Sequence, residues 1–176
     1  MSSTRTRNIL FTVTAAVSLF LDQWTKVLAR THLKPLWGGV VVVDGYFDLR
    51  YSENTGVAFG MLQQLPGGRI LLSLMALAAL GLVFHYLRHT DPGHTRLHLA
   101  LGLVGGGAVG NLVDRIFVGR VSDFVVWKYH GHEWPAFNVA DAALVVGVCL
   151  MALDMMLDKR RTATSARPER AGGGRR

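Results

Sequence analysis

The sequence has a single cysteine and few charged residues, and each shortage excludes a class of protein. With only Cys149 among 176 residues, no disulfide can form within the chain. Only 18% of the residues are charged and 50% are hydrophobic, which is a low charge content for a soluble protein of this length. The composition therefore favours one membrane-embedded domain, which we assign to residues 1–158.

Several hydrolase and cofactor motifs are also absent. The sequence contains neither an H-E-x-x-H zinc motif nor a G-x-S-x-G serine motif. His130 and His132 lack the i,i+4 spacing of a helical zinc site, so we interpret them as loop residues. The triplet at residues 105–107 matches neither a dinucleotide fingerprint nor a phosphate loop. We therefore predict no metal and no cofactor.

The net charge of +7 does not indicate nucleic-acid binding. The basic residues do not alternate with aromatic residues, and seven of the 19 lie in residues 159–176. A basic cluster directly after an apolar segment is typical of a cytoplasmic flank of a membrane protein. We predict that residues 159–176 form a disordered cytoplasmic tail and that the protein has no nucleic-acid partner.

Four apolar segments are each about long enough to cross a membrane as a helix. They occupy residues 9–29, 70–87, 97–114 and 139–157. No small-x-small cleavage site closes the first segment, which favours an uncleaved helix over a signal peptide. Gly102, Gly110 and the triplet at residues 105–107 predict that a neighbouring helix packs closely against the third segment.

Residues 36–62 have the pattern of a small extracytoplasmic β region. Val40–Val43 is β-branched, Asp44-Gly45 is a strong hairpin signal, and residues 46–51 alternate between apolar and polar. We expect an antiparallel hairpin whose valines and aromatic residues suit the lipid interface.

Four carboxylates fall at one level of the predicted bundle. Basic residues near the N-terminus, in the connection 88–96 and in the tail place both termini on the cytoplasmic side. The carboxylates at the opposite, extracytoplasmic rim are Asp22, Asp114, Asp123 and Asp141. Because a charge at the centre of a membrane helix costs about 2.5 to 3.5 kcal/mol, such residues need a partner or a function.

Two functions explain acids at the rim of a helix bundle. One is a small ion or lipid transporter in which carboxylates exchange a cation. The other is hydrolysis by two carboxylates that share one proton. The rim position and the lack of internal repeats favour hydrolysis, because transporter sites lie near the midplane and between repeats. The acids alone do not show which two would act.

Five of the polar residues also have purely structural interpretations. Asp22 and Lys26 are spaced as an i,i+4 ion pair, or as a polar strut that faces the bundle interior. Asn138 and Asp141 have the spacing of a helix N-cap and its capping-box acid. Judged only by turn propensity, Asn54 is interpreted as a turn residue.

Four boxes of the sequence resemble, in order and spacing, those of the lipoprotein signal peptidases, also called signal peptidase II. They are Asp22-Gln23-x-Thr25-Lys26, Asn54-Thr55-Gly56-x-Ala58-Phe59-Gly60, Asn111-x-x-Asp114-Arg115-x-x-x-Gly119-x-Val121-x-Asp123-Phe124, and Phe137-Asn138-x-Ala140-Asp141. The resemblance implies an all-α membrane protein with four transmembrane helices and a small extracytoplasmic β-cradle. It also implies an aspartic endopeptidase of the bacterial cytoplasmic membrane. The expected substrates are diacylglyceryl-modified prolipoproteins, cut on the N-terminal side of the lipidated cysteine, and globomycin is the expected type of inhibitor.

The resemblance also assigns roles to individual residues. It selects Asp123 and Asp141 as the catalytic pair, near the extracytoplasmic face. Positions that line the family's site and hold substrate or inhibitor backbone match Asn54, Asn111, Arg115 and Asn138. Supporting polar positions match Asp22, Lys26 and Asp114.

Overall fold

The computed structural model describes residues 3–36, 38–55 and 67–165, with side chains except those of residue 3 and residues 158–165. Within these ranges the chain forms four α-helices and one small sheet. The helices are α1 (Ser3–Leu28), α2 (Gly68–His89), α3 (Thr95–Val113) and α4 (Val139–Ser165). Two of them continue as π-helical turns, α1 into Ala29–Leu33 and α3 into Asp114–Val118.

The predicted apolar segments correspond to these helices, two of which extend beyond the predicted spans. The first helix begins at Ser3, before residue 9, and α4 continues beyond residue 157 to Ser165. Residues 159–165, which we predicted to be disordered, are therefore helical. The remainder of the predicted tail, residues 166–176, lies outside the described residues.

In the described part of the chain, three helices are long and apolar enough to cross a membrane. They are Gly68–His89, Thr95–Val118 and Val139–Leu157. The helix α1 is not among these three. The fold is thus mostly helical with apolar helices, and the count of four spans stays a prediction.

Glycines of α3 let two other helices approach its backbone. A Cβ atom at Gly106 would lie 2.6 Å from the carbonyl oxygen of Ala15 in α1. A Cβ atom at Gly107 would lie 2.6 Å from the carbonyl oxygen of Ala140 in α4. The predicted close packing is confirmed, since real Cβ contacts are not this short. As a result, α3 lies between α1 and α4, and polar residues near one end of each helix come together.

The sheet is antiparallel and has the strand order β1-β2-β3-β4. Its strands are β1 (Val40–Val43), β2 (Phe47–Asn54), β3 (Val121–Tyr129) and β4 (His132–Glu133). The predicted hairpin at Asp44-Gly45 is confirmed, and Gly45 has the positive φ of 74° that its turn requires. Residues 56–62 of the predicted β region lie outside the described residues.

The connection between α3 and α4 is not a simple loop. Most of it is β3, which pairs with β2 so that Ser52 lies opposite Asp123. Four consecutive residues at the start of β3, Val121 to Phe124, are buried, so the one-sided burial that marks a surface strand is missing. His130, which we interpreted as a loop residue, lies in the tight turn to β4, while His132 belongs to that strand.

Candidate active site

Asp123 on β3 and Asp141 in the first turn of α4 are joined through Asn138. The Nδ2 atom of Asn138 donates a hydrogen bond of 2.6 Å to Oδ1 of Asp123. The Oδ1 atom of Asn138 accepts a hydrogen bond of 3.0 Å from the backbone N–H of Asp141. In return, Oδ2 of Asp141 accepts one of 3.2 Å from the backbone N–H of Asn138. The predicted capping box is confirmed, and its asparagine also binds the second carboxylate.

A short backbone bridge places Asn138 beside Asp123. Phe137 exchanges two backbone hydrogen bonds with Val125, of 2.9 and 3.0 Å, and its carbonyl oxygen accepts a third, of 3.0 Å, from Phe124. Because Phe137 immediately precedes Asn138, the start of α4 is fixed against β3. The relative position of the two carboxylates is therefore set by sheet-like pairing.

Asn111 of α3 binds the other oxygen of Asp141. Its Nδ2 donates a hydrogen bond of 2.8 Å to Oδ1 of Asp141. Its Oδ1 accepts hydrogen bonds from Lys26 at 2.9 Å and from Asn138 at 3.2 Å. Because an ammonium group only donates hydrogen bonds, Lys26 keeps the amide oxygen of Asn111 on its own side. The NH2 group of Asn111 therefore points towards Asp141.

Asp22 and Lys26 form a fully buried ion pair. Both residues have 0% exposure, and the Lys26 Nζ to Asp22 Oδ2 distance is 2.9 Å. The other oxygen of Asp22 accepts a hydrogen bond of 2.9 Å from the backbone N–H of Ala140, in the first turn of α4. The two interpretations of this pair are thus both correct, because the i,i+4 pair also faces the interior and connects α1 to α4. Gly110 makes room for it, since a Cβ atom there would lie 2.4 Å from Asp22 Oδ2.

Asn54 at the end of β2 binds Asp123 from the opposite side to Asn138. Its Nδ2 donates a hydrogen bond of 3.1 Å to Oδ2 of Asp123. The interpretation of Asn54 as only a turn residue was therefore wrong. Asp123 is 3% exposed, and its burial together with the negative charge of Asp141 raises the pKa of Asp123 to about 6. This carboxyl group therefore retains its proton to a higher pH than an ordinary aspartic acid.

The remaining predicted site residues lie on the π-helical turn after α3. Asp114 is fully buried, and its Oδ2 accepts a hydrogen bond of 2.9 Å from the backbone N–H of Ser122. Arg115 is partly buried and donates a hydrogen bond of 3.3 Å to the backbone oxygen of Asn111. All nine predicted residues are thus linked by hydrogen bonds to this site or to its supports. Within the described residues, no group of three or more His, Cys, Asp or Glu side chains is arranged to hold a metal ion.

A family model described as signal peptidase (SPase) II matches residues 14–157. The chain belongs to the signal peptidase II family. It is 44% identical over 156 residues to the lipoprotein signal peptidase of Geobacter metallireducens, which covers 86% of this chain and 93% of that protein. It is 42% identical over 153 residues to the lipoprotein signal peptidase of Symbiobacterium thermophilum, covering 87% and 98% respectively.

Solved structures of low sequence identity have the same fold. A bacterial membrane enzyme determined by the in meso method at 2.3 Å resolution superposes with a TM-score of 0.74 and 25% identity, covering 92% of this chain and 93% of that chain. A second structure of this description, at 1.9 Å resolution, gives a TM-score of 0.72 at 26% identity, covering 81% and 90%. This member of the signal peptidase II family is therefore a bacterial membrane aspartic peptidase, and the comparisons favour peptidase activity over transport.

Sequence reasoning missed two residues around the site of this signal peptidase II member. Arg30 donates hydrogen bonds to Asp114 and to Ser122, and neither Arg30 nor Ser122 was assigned a role. A signal was present, because Asp22, Lys26 and Arg30 recur at intervals of four residues on one face of the first helix. The role of Ser122 had no such signal, since it depends on the pairing of distant strands.

Proposed function

We propose that this protein removes signal peptides from diacylglyceryl-modified prolipoproteins and cuts on the N-terminal side of the lipidated cysteine. Its relatives in Geobacter metallireducens and Symbiobacterium thermophilum are lipoprotein signal peptidases, which supports this substrate class. The exposed apolar surface of the helices, for example at Leu74 and Val145, suits a substrate that arrives through the membrane. A lipid-anchored substrate would reach the site by lateral diffusion.

Asp123 and Asp141 are the proposed catalytic pair. The observation that carries this assignment is Asn138, whose side chain donates to the carboxyl group of Asp123 and whose backbone N–H donates to the carboxyl group of Asp141. Two neighbouring carboxylates in a buried site do not both ionise at low cost, so the pair keeps one proton. The ionised group takes a proton from the attacking water, and the protonated group donates a hydrogen bond to the scissile carbonyl.

The raised pKa of Asp123 supports its assignment as the protonated member. Burial and the charge of Asp141 both favour the neutral form of Asp123, with a pKa of about 6. Asp141 accepts hydrogen bonds from Asn111 and from the backbone N–H of Asn138, which hold its carboxyl group in place. In this scheme Asp141 activates the water and Asp123 polarises the carbonyl.

Arg115 is the proposed contact for the substrate backbone. In the part of the chain that the structure describes, its guanidinium group makes one hydrogen bond, to the backbone oxygen of Asn111. Because a guanidinium group has five N–H donors, Arg115 retains donors for a peptide carbonyl. Asn54, Asn111 and Asn138 hold the two carboxyl groups, and we assign them a secondary role in binding substrate. Globomycin-type inhibitors would compete at this site, which inhibition kinetics with the purified protein would measure.

The proposed topology has four membrane spans, with both termini in the cytoplasm and the sheet on the opposite side. The excess of basic residues in residues 1–8, 88–96 and 159–176 supports this orientation. A Cys149→Ser background without cysteine, carrying a single new cysteine at Asp44 or at Pro92, tests it. A membrane-impermeant maleimide should label intact spheroplasts at Asp44 but not at Pro92, and the opposite pattern would contradict the topology.

The catalytic assignment is tested with Asp123→Asn and Asp141→Asn. Each variant should lose at least about a thousandfold in kcat on a diacylglyceryl-modified prolipoprotein, followed by gel shift and by mass of the products. Asp154→Asn is the matched control, because Asp154 lies on the same helix about 20 Å beyond Asp141. Full activity of either site variant would remove that residue from the mechanism. Loss of activity in the control would point to a general defect of the helix.

A further inference from the structure

Arg30 extends the buried polar network from the helices to the strand that carries Asp123. It lies on the π-helical turn Ala29–Leu33, directly after α1. Its NH2 group donates a hydrogen bond of 2.6 Å to Oδ1 of Asp114, and its Nε donates one of 2.9 Å to Oγ of Ser122. A π-helical turn changes the direction of a side chain relative to an α-helix, and such turns are frequent at functional sites.

Arg30, Asp114 and Ser122 each contact the other two, and Asp114 also lies 3.7 Å from Nζ of Lys26. Asp114 binds Arg30 with one oxygen and the backbone N–H of Ser122, at 2.9 Å, with the other. Asp114 and Ser122 are both 0% exposed, whereas the Arg30 side chain is 25% exposed. The backbone of Ser122 is thus fixed by Asp114 and its side chain by Arg30. Two donors of one planar guanidinium group define the geometry, which a single ammonium group would not do.

Fixing Ser122 fixes the next residue of the strand. Ser122 pairs with Glu53 and Asp123 pairs with Ser52 in the register of β2 and β3, and side chains of successive residues point to opposite faces. A rotation or shift of the strand at Ser122 therefore moves the carboxyl group of Asp123 relative to Asn54 and Asn138. Displacement of a reacting group by about 1 Å is enough to cost a hundredfold in rate.

We propose that Arg30 is a positioning residue for Asp123, acting through Ser122 and Asp114. The proposal depends on the proposed catalytic role of Asp123. In this role Arg30 does not contact the substrate. Loss of the Arg30 side chain should therefore lower kcat and leave KM unchanged.

The test compares Arg30→Met, Arg30→Lys and Ser122→Ala with the wild type on the lipid-modified prolipoprotein. Arg30→Met should lower kcat by about a hundredfold, with KM changed by less than about twofold. Arg30→Lys should recover part of this loss, because lysine keeps the positive charge beside Asp114 but lacks the two separate N–H donors of the guanidinium group. Ser122→Ala should give a smaller loss, and the double variant should be no worse than Arg30→Met alone, because both residues act through one contact.

Arg88→Met is the matched control for loss of an arginine, because Arg88 lies in the last turn of α2 and has no part in the contacts of Arg30. The melting temperature of every variant is measured in the same detergent to follow folding. Arg30→Met with kcat within about twofold of the wild type would overturn the proposal. The proposal would also be overturned if the loss of kcat in Arg30→Met matched the loss of folded protein and Arg30→Lys showed the same loss.

The failure of this inference is distinguishable from that of the catalytic assignment. If Asp123→Asn is inactive and Arg30→Met is fully active, only the role of Arg30 is refuted. If Asp123→Asn is active, the assignment of Asp123 fails and the positioning role fails with it, whatever the activity of Arg30→Met.

Discussion

Asn138 donates a hydrogen bond of 2.6 Å to Asp123, and both residues are buried. The same side chain caps α4 through the backbone N–H of Asp141. One asparagine therefore has two separable functions, the start of a helix and the orientation of a carboxyl group. A serine at this position would keep the cap and lose the amide donor.

Asn138→Ala should lose both functions of Asn138. The lost cap should cost about 1 kcal/mol of unfolding free energy, and the lost donor should lower kcat. Asn138→Ser should recover most of the stability but not the activity. Thermal unfolding and cleavage rates of both variants check this prediction, and recovery of activity by serine would show that only the cap matters.

Lys26→Met should destabilise the protein by about 3 to 5 kcal/mol, because it leaves the buried charge of Asp22 without its partner. It should also reduce kcat, since the amide of Asn111 would no longer be held with its NH2 group towards Asp141. Lys34→Met is the matched control, because Lys34 pairs with Glu53 at 2.9 Å but is 55% exposed. An exposed pair contributes at most about 1 kcal/mol, so unfolding measurements should separate the two variants clearly. Equal losses would contradict the importance assigned to burial.

Gly110→Ala should destabilise the contact between α1 and α3. The added methyl group would lie 2.4 Å from Oδ2 of Asp22, so the ion pair must move, at a cost of about 1 to 3 kcal/mol. The control is Gly81→Ala in α2, where no atom lies within 4 Å of the added group. That variant should gain about 0.5 to 1 kcal/mol from helix propensity. The melting temperatures should therefore shift in opposite directions, and a neutral Gly110→Ala would show that the bundle relaxes freely.

Asp123 should make the stability of the protein depend on pH in the acid range. Its pKa is raised from 3.8 to about 6 in the folded state, so the folded protein binds more protons than the unfolded chain between these values. The contribution of Asp123 to the free energy of unfolding is fully present below about pH 4 and is lost as the pH rises through about 6. Asp123→Asn should remove this part of the pH dependence of the unfolding free energy. An unchanged profile would contradict the raised pKa.

The titration of the Asp123 carboxyl group is also observable directly. Its protonated C=O stretch in the infrared spectrum should disappear with a midpoint of about pH 6. Asp141→Asn removes a neighbouring negative charge and should lower this midpoint, although burial should keep it above the ordinary value. The Asp154→Asn variant serves as the control, and its midpoint should equal that of the wild type. A midpoint that does not move in Asp141→Asn would show that the two carboxyl groups are not neighbours.

Elements with local signals were predictable from the amino-acid sequence alone. A β-branched run and Asp44-Gly45 predicted the hairpin, because a turn of this kind favours the twist of the flanking strands. The spacing of Asn138 and Asp141 predicted the helix start, and Asp22 and Lys26 predicted their ion pair. Each of these interactions joins residues within about one turn, so neighbouring residues are sufficient to specify it.

The contacts between distant polar groups, in contrast, depend on how the chain packs. Asn54 and Asp123 are separated by 69 residues, and Asp22 and Ala140 by 118. The pairing of β3 with β2 brings Asp123 to Asn54, and the glycines of α3 bring the start of α4 to Asp22. These contacts depend on strand register and on the close approach of helix backbones, which are properties of the packed chain and leave no periodic signal in a short segment.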